Sequence, residues 1–197
     1  MLPSMQDHRL PEPLAIAPDR GPPLRFEEYM RLAEAGMFDD KKVELLDGVV
    51  VEMSAQGPRH VELVAFMNRL LARRLPDDYR VLPQCTYRLS ERSVPEPDFA
   101  IVTARSLHAH DWPTAVWLVE IAVSSIHEDL GLKARLYAAA GIAEYWVIDA
   151  NIDSVIVHLE PSSDGYRSIT THDRSERIAP RAFPSLAFSL DEILEDR

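Results

Sequence analysis

The sequence predicts a mixed α/β or α+β fold, in which helices pack on a mixed β-sheet. First, Asp47-Gly48 stands between two short runs of strand-forming residues, which is a strong hairpin signal. Second, the apolar runs 99–102 and 116–123 have the length and composition of deeply buried strands. Third, segments with helical spacing of apolar residues lie before, between and after the strands. We find no internal repeat and no second domain boundary.

The N-terminal segment is predicted to lie outside this domain. Residues 1–24 carry little hydrophobic periodicity, and their six prolines stand at positions 3, 11, 13, 18, 22 and 23. Such a composition is typical of a flexible tail. We therefore predict a tail over residues 1–24 and a single folded domain over residues 25–197.

Turn and capping residues delimit the predicted elements. Gly36 can end a first short helix, and Pro58 suits the first turn of a longer one. Pro83 and Pro95 leave the ends of a half-exposed strand uncertain, because proline cannot donate a ladder hydrogen bond. The expected helices are 26–36, 58–75, 127–140 and a short one after Ser189, and the expected strands are 43–46, 49–53, 81–89, 99–102, 116–123, 144–149, 154–159 and 166–171.

The charge balance argues against a protein that coats nucleic acid through a broad basic surface. The 197 residues carry a net charge of −11, whereas phosphate binding depends largely on lysine and arginine. A nuclease is still compatible, because clustered carboxylates can be offset by bound metal ions. Arg69, Arg73 and Arg74 form a basic strip that could meet phosphate, although the solvated face of an amphipathic helix is the simpler interpretation.

Neither a membrane span nor a disulfide is expected. No apolar run approaches the roughly 20 residues that a transmembrane helix needs, and the N-terminus lacks an apolar signal core. Cys85 is the single cysteine, so it can form no intramolecular disulfide and no thiolate zinc site. We expect a cytoplasmic protein.

Two carboxylates stand where a buried sheet would not tolerate them without a partner. Glu120 interrupts the apolar run 117–123, and Asp98 follows Pro97 at the start of the run 99–102. If the two strands are neighbours, both carboxylates could bind one Mg²⁺, which polarises a phosphodiester and activates water. Taken singly, Asp98 could instead be a turn residue and Glu120 the partner of a buried arginine.

The surrounding segments give these carboxylates a family context. The chain resembles the Uma-two family, bacterial proteins assigned as restriction endonucleases of the PD-(D/E)XK nuclease superfamily. The matching segments are Phe26-Glu27-Glu28-Tyr29, Val43-Glu44-Leu45-Leu46-Asp47-Gly48, His60, Pro97-Asp98, Val119-Glu120-Ile121-Ala122-Val123-Ser124-Ser125, Asp129, Lys133, Tyr137 and Gly141-Ile142-Ala143-Glu144-Tyr145-Trp146-Val147-Ile148-Asp149. The resemblance implies a restriction-endonuclease-like core, with a central mixed sheet flanked by helices, and a site for Mg²⁺ or Mn²⁺. It also implies that Asp98 and Glu120 are the principal metal ligands and that Glu44 assists them.

One position departs from the superfamily signature. The signature has lysine two residues after the glutamate, on the same face of the strand, and this chain has Ala122. Lys133 is the candidate substitute, on a helix face that it shares with Asp129 and Tyr137. The alternative is an exposed Asp129–Lys133 ion pair worth about 0.3–0.5 kcal/mol, with Tyr137 in the core.

Three functional hypotheses follow. The leading one is a Mg²⁺-dependent endonuclease that hydrolyses DNA, in which Lys133 orients water or neutralises developing charge. His60 is expected either to contact phosphate or act in proton transfer, or else to cap a helix. The second hypothesis is a catalytically weak or inactive nuclease-fold module that binds nucleic acid or a protein, and the third is a hydrolase acting on RNA or nucleotides. A homodimer would suit cleavage of two strands, although the sequence shows no interface.

Overall fold

A six-stranded mixed sheet forms the centre of the protein, which confirms the predicted fold class. The computed structural model describes residues 22–108 and 112–195. Most of the predicted tail, residues 1–21, therefore lies outside the described residues. The strand order is β3-β4-β5-β6-β7-β8, and β5 and β6 pair in parallel while the other neighbours pair antiparallel. A separate hairpin is formed by β1 and β2.

The bounds of most elements agree with the sequence patterns. The α-helices are α1 (Phe26–Glu34), α2 (Pro58–Arg74), α3 (Ile126–Glu128), α4 (Ala134–Ala139) and α5 (Leu190–Glu195). The strands are β1 (Val43–Leu46), β2 (Val49–Glu52), β3 (Tyr79–Pro83), β4 (Phe99–Thr103), β5 (Ala115–Ala122), β6 (Glu144–Asp149), β7 (Ser154–Ser162) and β8 (Gly165–Asp173). A 3-10 turn spans Ala104–His108, and a π-helical turn spans Asp129–Lys133. None of the described helices is both long and apolar enough to cross a membrane.

The two sheet faces carry different helices because successive strand residues point to opposite sides. On one face, Trp117 and Trp146 pack edge to face, with ring centroids 4.9 Å apart, in a cluster that includes residues of α2 and α5. On the other face, Leu118 and Val147 pack in a cluster with Tyr137 of α4. The sheet is thus the middle of three layers, and its central strands are buried on both sides.

The Asp47-Gly48 hairpin forms as predicted. Both residues adopt left-handed backbone conformations, with φ of 47° and 78°, as a two-residue hairpin turn requires. The backbone of Leu45 pairs with that of Val94, in the segment that leads into β4. This bridge places β1 beside the segment that carries Asp98.

Two predictions about secondary structure are wrong in detail. The expected strand 81–89 ends at Pro83, because Gln84 turns into the left-handed region with φ of 47° and its N–H donates to the Asp98 carbonyl. The expected helix 127–140 begins at Ile126 and is interrupted by the π-helical turn Asp129–Lys133. Both irregular segments supply side chains to the cluster of carboxylates described next.

Candidate active site

Asp98 and Glu120 lie side by side at the junction of β4 and β5. Phe99 pairs with Val119 across the two strands, which brings the residue before β4 opposite Glu120. The Asp98 N–H donates to Glu120 Oε2 at 3.1 Å, and the Ile121 N–H donates to Asp98 Oδ2 at 2.8 Å. Asp98 is 6% exposed and Glu120 is 4% exposed. Two carboxylates are therefore fixed close together in a largely buried position.

Lys133 reaches this pair from the helical layer. Its Nζ donates to Glu120 Oε1 and to Glu44 Oε1, both at 3.1 Å, and only 4% of the residue is exposed. The alternative in which Lys133 forms an exposed ion pair with Asp129 is therefore wrong, because Lys133 is buried. The lysine ammonium occupies the neighbourhood of Glu120 even though Ala122, on the strand, cannot provide one.

The π-helical turn brings Asp129 inward together with Lys133. Asp129 is 1% exposed, and its Oδ1 lies 3.8 Å from Lys133 Nζ. Ser125 Oγ donates to Asp129 Oδ2 at 2.6 Å, and Tyr145 OH donates to the Asp129 carbonyl at 3.1 Å. One turn further on, Tyr137 OH donates to Glu120 Oε1 at 2.9 Å. The three residues predicted to share a helix face all lie at this cluster.

Glu44 joins the cluster from the separate hairpin. It lies on β1 and is 1% exposed. Its Oε1 accepts hydrogen bonds from Lys133 Nζ and from the Glu96 N–H, the latter at 2.6 Å. The carboxylate therefore connects the hairpin, the segment before β4 and the helix that carries Lys133.

Two further polar side chains, His60 and Gln84, contact the carboxylate of Asp98. His60, in the first turn of α2, places Nε2 3.0 Å from Asp98 Oδ2. Its Nδ1 is buried and has no hydrogen-bond partner among the described residues. Gln84 Nε2 donates to Asp98 Oδ1 at 3.1 Å. The sequence interpretation missed Gln84, because a glutamine within a presumed half-exposed strand gives no signal of a buried partner.

The cluster holds more carboxylates than cations. Glu44, Asp98, Glu120 and Asp129 are all buried, and Lys133 is the one buried lysine or arginine among the described residues. Burial raises the pKa of Glu120 well above its usual value, although Lys133 opposes the shift. Burial raises the pKa of Asp129 to about 6. Desolvation alone would lower the pKa of Lys133, but the surrounding carboxylates outweigh it and hold that pKa well above its usual value.

The donor chemistry fits the divalent cation that the sequence resemblance implies. Mg²⁺ binds through one or two carboxylates and retains several waters. Among the described residues, Asp98 Oδ1 accepts a hydrogen bond from Gln84 and Glu120 Oε2 accepts one from Asp98 N–H, which leaves each oxygen a further lone pair. No group of three or more His, Cys, Asp or Glu side chains among those residues is arranged to hold a metal ion. Asp98 Oδ1 and Glu120 Oε2 are therefore the oxygens that can each offer a lone pair to a cation.

Comparison with known proteins gives this geometry its family context. A sequence model of the Uma2 family, described as "Putative restriction endonuclease", matches residues 26–191. The chain belongs to the Uma2 family. This confirms the resemblance that the sequence motifs indicated. No curated protein matches the chain.

A solved structure supports the fold of this Uma2 chain. The crystal structure of "a putative nuclease belonging to DUF820" from Anabaena variabilis is similar, with a TM-score of 0.70. The similarity covers 88% of this chain and 98% of that chain, at 14% sequence identity. At this identity the likeness shows a shared fold and assigns no residue of the Uma2 chain a role.

Proposed function

We propose that this Uma2 protein is an endonuclease that hydrolyses DNA phosphodiester bonds with the help of Mg²⁺ or Mn²⁺. The observation that carries the proposal is the meeting of Asp98, Glu120 and Lys133. An Asp–Glu pair on adjacent strands with a lysine beside the glutamate is the residue set that the nuclease resemblance implies. Here the lysine comes from the helical layer, and its Nζ lies 3.1 Å from Glu120 Oε1.

Each residue of the cluster has a physical role in this proposal. Asp98 and Glu120 would hold the cation, which when bound polarises the phosphodiester and activates water. Lys133 Nζ neutralises charge that develops on the phosphate oxygens or orients the attacking water. Glu44 holds Lys133 in place through Oε1 and is the candidate for a third acidic ligand. His60 fixes Asp98 through Nε2 and offers a ring nitrogen for proton transfer.

A basic groove supports DNA as the substrate despite the acidic charge of the chain. Arg69, Arg73 and Arg74 line a groove of about 440 Å³ between α2 and α5. The one acidic residue that lines it, Glu192, pairs with Arg74 and with Arg177. Arg73 lies 13 residues after His60 on the same helix, which is about 20 Å along the axis. Thirteen residues also turn the Arg73 side chain about 140° away from His60 around the helix axis, so DNA in this groove would have to pass round α2 to reach the cluster.

A cleavage assay tests the proposal directly. Purified protein should nick or linearise plasmid DNA in the presence of Mg²⁺ or Mn²⁺, and a chelator should stop the reaction. Asp98→Asn removes one cation ligand and should weaken Mn²⁺ binding, measured by calorimetry, at least about 10-fold. Asp153→Asn is the matched control, since that aspartate pairs with Arg59 and Arg174 and contacts none of the cluster residues named above.

The outcomes separate the proposal from its rivals. Mn²⁺ binding without cleavage of any DNA would favour a binding module that has lost turnover. No group of three or more His, Cys, Asp or Glu side chains among the described residues is arranged to hold a metal ion, and this observation keeps that candidate. Cleavage of RNA but not DNA would favour the ribonuclease hypothesis instead.

The basic groove has a test of its own. Arg73→Gln should weaken DNA binding similarly for different sequences, because a phosphate contact does not distinguish bases. The slope of log affinity against log salt concentration should become shallower by about 0.9. Arg167→Gln, at an exposed site on β8, should change neither quantity. Equal slopes for the wild type and Arg73→Gln would remove the groove from the DNA-binding surface.

A further inference from the structure

Gln84 occupies a backbone conformation that glutamine rarely adopts. Its φ is 47°, in the left-handed region that favours glycine, asparagine and aspartate. Three other described residues that are not glycine have positive φ, and two of them, Asp47 and Asp153, are aspartates in turns. Glycine would fit position 84 with less strain, so the conformation alone does not explain a glutamine there.

The side chain of Gln84 supplies the missing explanation. Its Nε2 donates to Asp98 Oδ1 at 3.1 Å, while its backbone N–H donates to the Asp98 carbonyl oxygen at 3.0 Å. One residue therefore holds both the main chain and the carboxylate of Asp98. The left-handed turn that ends β3 at Pro83 accompanies this double contact.

The contact with Oδ1 is distinct from the other contacts of the same carboxylate. The Ile121 N–H and His60 Nε2 both meet Asp98 Oδ2. Rotation about the Cβ–Cγ bond moves both oxygens, so the two contacts at Oδ2 already restrain the carboxylate. The Gln84 amide adds a restraint at Oδ1 and occupies one of its lone pairs, which sets the direction left for the other.

We propose that Gln84 is a positioning residue that aligns Asp98 for the divalent cation. This inference rests on the proposed metal-dependent function and assigns to it a residue outside the nuclease signature. Residues that orient a metal ligand through a hydrogen bond typically change metal affinity 10- to 100-fold when they are replaced. The same range is expected for loss of the Gln84 amide.

Two substitutions separate the amide from the backbone strain. Gln84→Gly removes the amide and relieves the positive φ, whereas Gln84→Met removes the amide and keeps the length and the strain. Mn²⁺ affinity, measured by calorimetry on the full chain without DNA, should fall about 10-fold or more in both variants. The melting temperature without metal should drop in Gln84→Met and change less in Gln84→Gly.

The control is a second strained residue outside the cluster. Glu160, with φ of 60°, is exposed on β7, two strands away from β5. Glu160→Gly should leave Mn²⁺ affinity at the wild-type value. A wild-type affinity in Gln84→Gly, in Gln84→Met or in both would overturn the positioning role while leaving the metal site intact. Failure of the wild type to bind Mn²⁺ would overturn the metal-dependent function itself, and this inference with it.

Discussion

Replacing Glu120 by glutamine is expected to reduce metal-dependent DNA cleavage at least about 100-fold. The change keeps the shape of the side chain but removes the negative charge that would bind the cation. Lys133 Nζ and Tyr137 OH, which donate to Oε1 in the wild type, can still donate to the amide oxygen. The amide nitrogen that replaces Oε2 cannot accept from the Asp98 N–H, so we expect a loss of about 1–3 kcal/mol in the free energy of unfolding. Plasmid cleavage and Mn²⁺ calorimetry on the same preparation measure the two effects.

Glu144 provides a matched control for this experiment. It is also a buried glutamate, on the neighbouring strand β6, and it is 2% exposed. Its oxygens accept from Trp146 Nε1 at 2.7 Å and from the Arg181 N–H at 2.8 Å, away from the Asp98 cluster. Glu144→Gln should keep cleavage and Mn²⁺ affinity. Equal nicking by wild type and Glu120→Gln would instead indicate a contaminating nuclease or a site elsewhere in the chain.

Replacing Lys133 by methionine is expected to lower the free energy of unfolding by about 3–5 kcal/mol in the absence of metal. The ammonium contacts Glu44 and Glu120 at 3.1 Å each, so its loss leaves two buried carboxylates close together without their cation. Cleavage should fall as well, because the positive charge beside the phosphate is lost. Urea denaturation with chelator measures the stability change. Added Mn²⁺ should recover part of it, since the cation binds the native state.

Two further variants test the cause of the Lys133 effect. Lys133→Arg keeps the positive charge and should lose less stability than Lys133→Met, although the guanidinium has a different shape. Lys42 pairs with Glu96 at 3.1 Å, but 44% of its side chain is exposed. Lys42→Met should therefore cost no more than about 1 kcal/mol. A similar small loss for Lys133→Met would show that the buried contacts carry little energy.

Local sequence patterns were sufficient for most elements of the fold. Asp47-Gly48 predicted the hairpin because few other dipeptides accept two left-handed conformations in succession. The apolar runs 99–102 and 116–123, the second interrupted only by Glu120, predicted strands buried on both faces. The predicted strand 81–89 failed at Gln84, where a contact with Asp98, 14 residues away, outweighed the local alternation. Propensity could not anticipate that contact.

Part of the candidate site was also predictable from local sequence patterns. Asp98 and Glu120 could be identified because a carboxylate at the start of a buried strand or within one requires a partner. The helix face of Asp129, Lys133 and Tyr137 came from spacing and family resemblance. The spacing could not show that a π-helical turn makes the first two buried residues rather than surface ones.

The sequence by itself determined the order of the elements, the two strand carboxylates and the family. Local patterns define the elements and the carboxylates, and short motifs in a fixed order along the chain define the family. Only the tertiary structure decided how the cluster is completed. Glu44 and Lys133 are 89 positions apart, and Asp98 and His60 are 38 apart. Their contacts depend on how the hairpin and the helices pack on the sheet. Burial then sets the strength of the charge interactions, because the carboxylates interact strongly with Lys133 only where water is excluded.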